Sequence, residues 1–364
     1  MEQTNGSLVP EPFGPLEGMR ILSTGTLIAE PFAAHLAGAF GAEVIQVEHP
    51  SGTCDPWRRL DVPVQGADGV KVASSFVQER RNAFYITLDL STPEGSELFL
   101  RLIRSRDIWM ESSKQGTYTK WGLGDDVLLA ANPALVITHV SGYGQSGEPD
   151  YLGRGSYDMI AQAFGGLMYQ TGFPDPDPPM RAVPYTGDYI TALFALWSSL
   201  AAYIHVQRTG EGQVIDLAQY EAVHQLLAGT MVQYFDTGTV WERSGNKAAH
   251  FQPYDVFAAN DGWVVMGAAG PIFARTCKLI GLDPDKYASA FSELTSPEGV
   301  EFDLRLRQWI AERSVAEVVE QLNAVNVPSC PVSRASTVII PVMWGGGTAP
   351  VSRRPPNGSH PRRE

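Results

Sequence analysis

The amino-acid sequence predicts an α/β protein, a mostly parallel sheet flanked by helices, joined to a smaller α+β domain. Two observations carry this. Strand-like apolar runs alternate with helical stretches from Met19 to Leu217, the pattern that builds parallel sheets through crossover helices. From Gln252 onward the alternation stops, and a hairpin pattern followed by helices takes its place. At 364 residues, 44% hydrophobic and 18% charged, the chain has a globular composition and is long enough for two domains.

Residues 1–15 are polar and proline-bearing and read as a tether. Met19-Arg20-Ile21-Leu22 is a first strand, and Ser23 to Thr26 a loop. A helix runs from about Pro31 to Phe40, with proline at a permitted first-turn position. Gly41 ends it ahead of a second strand, Ala42 to Glu48. This unit is Rossmann-like. Its turn, Ser23 to Pro31, holds one glycine where a dinucleotide fingerprint needs three at fixed spacing, which argues against a nicotinamide enzyme. Phe76 to Leu90 reads as strand-like, and Ser91-Thr92-Pro93-Glu94-Gly95 opens a helix with proline and an acid in its first turn. Strands follow at Asp107–Glu111 and Leu135–Val140, then an apolar helix at Ile190–Val206, a strand at Gln213–Leu217 and a long helix at Ala218–Phe235.

Parallel sheets bind ligands beyond the carboxyl ends of their strands. Leu27–Ala29, Ser112–Lys114 and Ser141–Tyr143 all follow such ends and are expected to form one rim. The large domain is placed at residues 14–235, a linker at 236–252 and the small domain at 253–332. In the small domain Tyr254–Phe257 and Trp263–Gly267 pair through Asn260-Asp261-Gly262, with helices near Ile272–Ile280, Val300–Ala311 and Val315–Asn323.

A net charge of −13 argues against a general nucleic-acid binder, although a local basic site can still hold an anion. No uninterrupted apolar run reaches membrane-spanning length, and Met1 to Asn5 carries no basic segment ahead of an apolar core. The expectation is a cytoplasmic protein with neither nucleic-acid nor membrane partners. Cys54, Cys277 and Cys330 are far apart and match no zinc or disulfide spacing, so they are read as reduced thiols and no metal is expected.

Asp188 stands in Pro184-Tyr185-Thr186-Gly187-Asp188-Tyr189, between a Pro- and Asp-rich run, Phe173 to Pro179, and the apolar helix. In that helix Leu193, Leu196, Trp197, Leu200 and Ile204 recur at three- and four-residue spacing, the mark of a buried face. Unpaired N–H groups and the positive end of the helix dipole favour an ionised carboxylate at such a start. From position alone the simplest role is an N-cap.

The ordered motifs GPLEGMRIL from Gly14, GAEVIQVE from Gly41, LDLSTPEG from Leu88, NPALVITHVSGYGQSG from Asn132, SYDMIAQAFGGLMYQTG from Ser156, PYTGDY from Pro184 and GEGQVIDLAQYEA from Gly210 give the chain a wider meaning. Together they resemble the class III (family III) CoA-transferases from about residue 14 to about residue 332. ESSK from Glu111 and SGNK from Ser244 lean toward the carnitine and bile-acid branches. The resemblance implies that Asp188 is the nucleophile, passing an acyl group and CoA through a mixed anhydride and an aspartyl-CoA thioester. It implies that Leu27, Ile28 and Ala29 contact CoA through their backbone, that Lys114 and Lys120 meet its phosphates, and that Tyr143 lies beside the nucleotide. Each lysine alone reads more readily as a solvated surface charge, and Tyr143 equally as packing. CoA or acyl-CoA is then substrate rather than a tightly bound cofactor, a carboxylic acid is the other partner, and the family's interlocked homodimer is expected.

The chain departs from the formyl-transferring members. Ile28 replaces a glutamine, His49-Pro50 replaces an arginine pair, and a glycine-rich loop of the small domain has no counterpart, so formate and oxalate chemistry are disfavoured. The related α-methylacyl-CoA racemases, an alternative, carry a histidine where this chain reads Ser156-Tyr157-Asp158. Tyrosine is a poor base near neutral pH, its ordinary pKa being about 10. A non-catalytic CoA-binding protein is the other alternative. Residues 333–364 break from the pattern: from Arg334 they hold five arginines and one acid with much Pro and Gly, and read as a disordered or truncated tail. Without the family's return segment the expectation is an open subunit ring, with dimerisation and catalysis impaired.

Overall fold

The computed structural model describes residues 13–51, 54–66 and 68–334, which form two compact units dividing at Arg243–Ser244, inside the stretch read as a linker. The first unit has eight strands: β1 (Arg20–Ser23), β2 (Glu43–Glu48), β3 (Pro63–Gln65), β4 (Lys71–Ala73), β5 (Phe84–Thr87), β6 (Ile108–Glu111), β7 (Val136–Ser141) and β8 (Gln213–Ala218). β3 and β4 make a small antiparallel hairpin that the sequence did not reveal. The other six form one parallel sheet in the order β5-β2-β1-β6-β7-β8. The chain winds outward from β1 to β5, then returns to start β6 on the other side of β1. That reversal leaves a crevice beyond the carboxyl ends of β1 and β6, where ligands of doubly wound sheets bind.

Both faces of the sheet are covered, which is why successive residues of β1, β6 and β7 are buried instead of every second one. Successive residues of β1 point to opposite sides. Ile21 joins Ala33, Val44, Met110 and Ala195 beneath the helices Ala29–Ala39 and Thr186–Thr209, while Leu22 joins Phe99, Trp109, Leu128 and Ile137 beneath the helix Pro93–Ile103. Thr92 caps that last helix as expected, its hydroxyl accepting the N–H of Gly95 at 3.1 Å.

Three expectations need correction. Phe76 to Leu90 is not one strand: Ser74–Glu79 is a helix whose Phe76 packs with Trp57 and Ala73, and Asn82, at φ +62°, turns the chain into β5. The stretch Ala218–Phe235 is not one helix either. It splits into Gln219–His224 and Thr230–Thr237 around Ala228, which sits at φ +50°. In the Asp188 helix, which spans Thr186–Thr209, the fully buried stripe is made mostly of small residues, Thr191, Ala192, Ala195, Ser199 and Ala202, and of the five large ones only Leu196 and Leu200 pack against the core, partly buried. Small side chains let it lie close on the sheet, where Ser199 and Thr138 share a hydrogen bond of 2.7 Å. Leu193, Trp197 and Ile204 point away and are about half exposed. By length and composition alone this helix could cross a bilayer, with a mean hydropathy of 1.4 over its most apolar window.

The second unit holds β9 (Tyr254–Ala258), β10 (Trp263–Gly267) and β11 (Ser329–Pro331), an antiparallel sheet in the order β11-β10-β9. Its core gathers Phe257, Val264, Phe273, Phe302, Leu306 and Leu322, from the sheet and the helices Pro271–Leu279, Pro297–Ala311 and Val315–Ala324. The three cysteines are free thiols. Nearly all of the arginine-bearing tail, residues 335–364, lies outside the described residues.

Candidate active site

The loop after β1 is held in an unusual shape by buried charge. Leu27 sits at φ +64°, a left-handed conformation that costs a side-chain-bearing residue about 1–3 kcal/mol. Asp55 accepts the Leu27 N–H at 3.1 Å, while Arg80 donates to the Leu27 carbonyl and pairs with Asp55 at 2.5 Å. Asp55 and Arg80 are both fully buried, so the pair clamps the loop away from solvent. Ile28 buries its side chain among Trp57, Ala73 and Phe76. Nearby, Glu79 accepts the Trp57 indole N–H at 2.9 Å and the Tyr189 hydroxyl, which ties the residue after Asp188 to the same layer.

The loop after β6 is braced from beneath. Glu111 is buried, accepts the Ser113 N–H at 2.5 Å and meets His139 at 2.7 Å, while the other ring nitrogen of His139 meets Asp125 at 3.0 Å. Burial pulls the imidazole pKa down, but the hydrogen bonds to Asp125 and Glu111 outweigh it and push the value up to about 9. Ser112 joins the two loops by accepting the Thr26 N–H at 3.2 Å. The loop after β7 is fixed by Asp216 of β8, which accepts the N–H groups of Gln145 at 2.7 Å and Ser146 at 3.0 Å.

Asp188 lies in the first turn of its helix but does not cap it. Asp158, buried, accepts the N–H of Gly187 at 2.8 Å and of Asp188 at 3.3 Å, and is itself held by Gln162 at 2.9 Å. The approach is close: a Cβ on Gly187 would stand 3.1 Å from the Asp158 carboxylate and 3.3 Å from Gln162. The N-cap role therefore belongs to Asp158 from a distant element, and the Asp188 carboxyl is free for other work. Its Oδ1 accepts a hydrogen bond from the Gln219 amide. Burial and the Asp158 charge raise the Asp188 pKa, Gln219 offsets part of this, and Glu79 adds to the rise, giving about 7.

These loops enclose a cavity of about 290 Å³. Leu27, Ile28, Ala29, Lys114, Tyr143 and Asp188 all line it. Lys120 does not; it is exposed on the short helix Thr117–Lys120. Next to it, Trp121 lines a second cavity of about 220 Å³, with Leu88, Leu90, Tyr118 and His49, that shares Thr26 and Ser113 with the first. Tyr143 both lines the first cavity and packs, stacked on Tyr151 at 5.6 Å and edge-on to Phe164 at 5.1 Å. Arg154, Tyr157 and Gln219 complete the wall. Sequence reasoning passed over Arg154 and Gln219. The strand-end rule applied to β8 would have found Gln219, which directly follows its last residue.

The chain matches the family described as CoA-transferase family III over residues 16–341, nine residues beyond the expected limit near Val332. It belongs to CoA-transferase family III. This makes the protein an enzyme of the CoA-transferase class, acting on CoA or acyl-CoA. It is 38% identical over 327 residues to the bile acid CoA-transferase BaiK of Clostridium scindens, covering 87% of this chain and 71% of that protein. To the L-carnitine CoA-transferase of Proteus mirabilis it is 35% identical over 330 residues, covering 88% and 77%. Among solved structures, a CAIB/BAIF family protein from Brucella suis superposes with a TM-score of 0.79 at 27% identity, covering 91% of this chain and 87% of that one. Rv3272 of M. tuberculosis gives 0.78 at 27% identity, with 92% and 88% covered.

Proposed function

We propose that this family III enzyme moves CoA from an acyl-CoA donor to a carboxylic acid through a thioester on Asp188. The observation that carries this is position: among the described residues lining the larger cavity, Asp188 is the one carboxyl group. Its Oδ2 attacks the donor thioester carbon, the C–S bond breaks and CoA leaves as thiolate, giving a mixed anhydride. The thiolate then bonds to Asp188 Cγ, the Cγ–Oδ2 bond breaks, and the donor acid departs with that oxygen. An acceptor carboxylate runs the same steps in reverse and leaves as its CoA ester. Anhydride and thioester both keep the acyl group activated, so little energy is lost at any stage. The cycle uses CoA as substrate and calls for no resident cofactor.

The backbone of Leu27–Ala29 is read as contacting the pantetheine arm, Lys114 and Lys120 the phosphates, Tyr143 the nucleotide, and the second cavity, walled by Leu88, Leu90 and Trp121, the adenine. A bile acid or a carnitine-like acid is the proposed acceptor, following the names of the two relatives. A homodimer is proposed as the working form, with the exposed Leu193, Trp197 and Ile204 among the surface it would cover. Incubation with cholyl-CoA or L-carnitinyl-CoA, followed by borohydride reduction and peptide mass spectrometry, should find Asp188 alone modified. An unmodified Asp188 in an active enzyme would sink the reading, and α-proton exchange of a 2-methylacyl-CoA in deuterated water would favour a racemase instead.

A further inference from the structure

We infer that Gln219 is a catalytic residue of this chain, its side-chain amide stabilising the negative charge that gathers on Asp188 Oδ1 each time Cγ is attacked. The inference rests on Asp188 being the nucleophile. Gln219 is the first residue of the helix Gln219–His224, set down at the carboxyl end of β8, and is almost fully buried. Its Nε2 donates to Oδ1 of Asp188. Its Oε1 accepts the hydroxyl of Ser156 at 3.1 Å. An ionised carboxylate offers only acceptors, so the amide must present its NH₂ to Asp188, and the Ser156 hydroxyl then fills the carbonyl side. The amide is locked in one orientation by groups on two other elements.

That orientation divides the two oxygens of Asp188 between two tasks. Oδ1 is occupied by Gln219, which leaves Oδ2 to form the bond to the acyl carbon. When CoA thiolate then adds to Cγ, the C=O pair of electrons moves onto Oδ1, where the amide already stands. The same happens when an acceptor carboxylate adds to the aspartyl thioester. The charge collapses back as the Cγ–Oδ2 or Cγ–S bond breaks, and no proton is exchanged. A donor placed before the reaction need not reorganise during it, which makes such contacts effective in a site screened from water. A hydrogen bond that merely held the resting carboxylate would have no partner charge to meet at the thioester stage.

The test separates those roles by starting from the thioester. Wild-type enzyme and Gln219→Met, which keeps the side-chain length and removes the donor, are loaded with cholyl-CoA or L-carnitinyl-CoA, freed of excess and mixed with hydroxylamine. Attack of hydroxylamine on Cγ passes through the same oxyanion without needing the acid pocket. Loss of the donor should slow this cleavage roughly a hundredfold. The thioester carbonyl stretch, read by infrared difference spectroscopy, should rise in the variant as the polarising hydrogen bond is lost. Ser156→Ala keeps the donor but frees the amide to turn, and should give a smaller loss; it serves where Gln219→Met does not fold. Equal cleavage rates with an unshifted carbonyl stretch, in a wild-type enzyme that does form the adduct, overturn the role of Gln219 alone. A wild-type enzyme that forms no adduct on Asp188 overturns the nucleophile and this inference together.

Discussion

The carboxylate of Asp158 accepts the backbone N–H groups of Gly187 at 2.8 Å and Asp188 at 3.3 Å, and so takes the helix start that Asp188 itself was expected to use. The favourable field of the first turn is spent on Asp158, and Asp188 is left beside a like charge in a desolvated pocket. That is why its pKa goes up to about 7 when a helix N-terminus by itself would lower it. In the proposed reaction such a carboxylate gains nucleophilicity from being poorly solvated, but must still be ionised to attack.

The acid limb of kcat/KM should therefore fall near pH 7 in the wild-type enzyme. Asp158→Asn keeps an oxygen to accept both N–H groups and removes the charge, so the limb should move to lower pH. The measurement is a pH–rate profile with a donor acyl-CoA. A limb that stays in place means that Asp158 does not set the ionisation of Asp188.

Stability should show the same group. The folded-state pKa of Asp188 lies above its ordinary 3.8, so the folded protein holds a proton that the unfolded chain has lost, and stability falls as pH rises from about 3.8 to about 7. Asp188→Asn should abolish this penalty and, on the proposed mechanism, transferase activity with it. Above pH 7 the variant should be the more stable by up to about 4 kcal/mol, because a tenfold change in proton affinity is worth about 1.4 kcal/mol. Near pH 4 the difference should close. Urea denaturation of both proteins across that range checks it. A gap that is the same at both ends would show that the substitution acts through packing.

The sequence carries the sheet well because its central strands are buried on both faces: Ile108–Met110 reads as an unbroken apolar run, and Val136–Val140 is buried throughout, its Thr138 and His139 included. The rim was equally legible, since Leu27, Lys114 and Tyr143 follow strand ends that a parallel sheet must bring to one side. What periodicity could not reveal is the choice between faces of the Thr186–Thr209 helix. Both faces repeat at helical spacing, and close approach to the sheet favours Ala192 and Ala195 over Leu193 and Trp197. Nor could it pair Asp188 with Asp158, thirty residues earlier, or Gln219, thirty-one later, because those contacts exist only through the fold.

Lys114 and Arg154 bring positive charge to the larger cavity of an acidic protein, whereas Lys120 stands outside its lining. Lys114→Ala and Arg154→Ala should each raise the KM for acyl-CoA about fivefold at low salt, the size of an exposed charge contact worth roughly 1 kcal/mol. The effect should shrink as salt screens the wild-type contacts. Lys120→Ala should do less. Steady-state kinetics in low and high salt make the comparison, and an equal loss from all three would place the CoA phosphates nearer Trp121 than the cavity mouth.

The clamp on Leu27 gives the last expectation. Arg80 and Asp55 form a fully buried pair whose contacts end on the Leu27 N–H and carbonyl, so the pair fixes backbone that faces the site. Arg80→Met leaves the Asp55 carboxylate buried without its cation, a change that typically costs about 3–5 kcal/mol. Once released, Leu27 can leave its left-handed conformation, and the backbone that should meet CoA goes with it. We therefore expect a lower urea midpoint together with a raised KM for acyl-CoA. Asp55→Asn combined with Arg80→Met removes both charges and should recover much of the stability, because no unpaired charge is left behind. It should not recover the KM, since an asparagine still accepts the Leu27 N–H but nothing holds the carbonyl. Recovery of both would show that the pair serves the fold alone and that the shape of the Leu27 loop does not matter to binding.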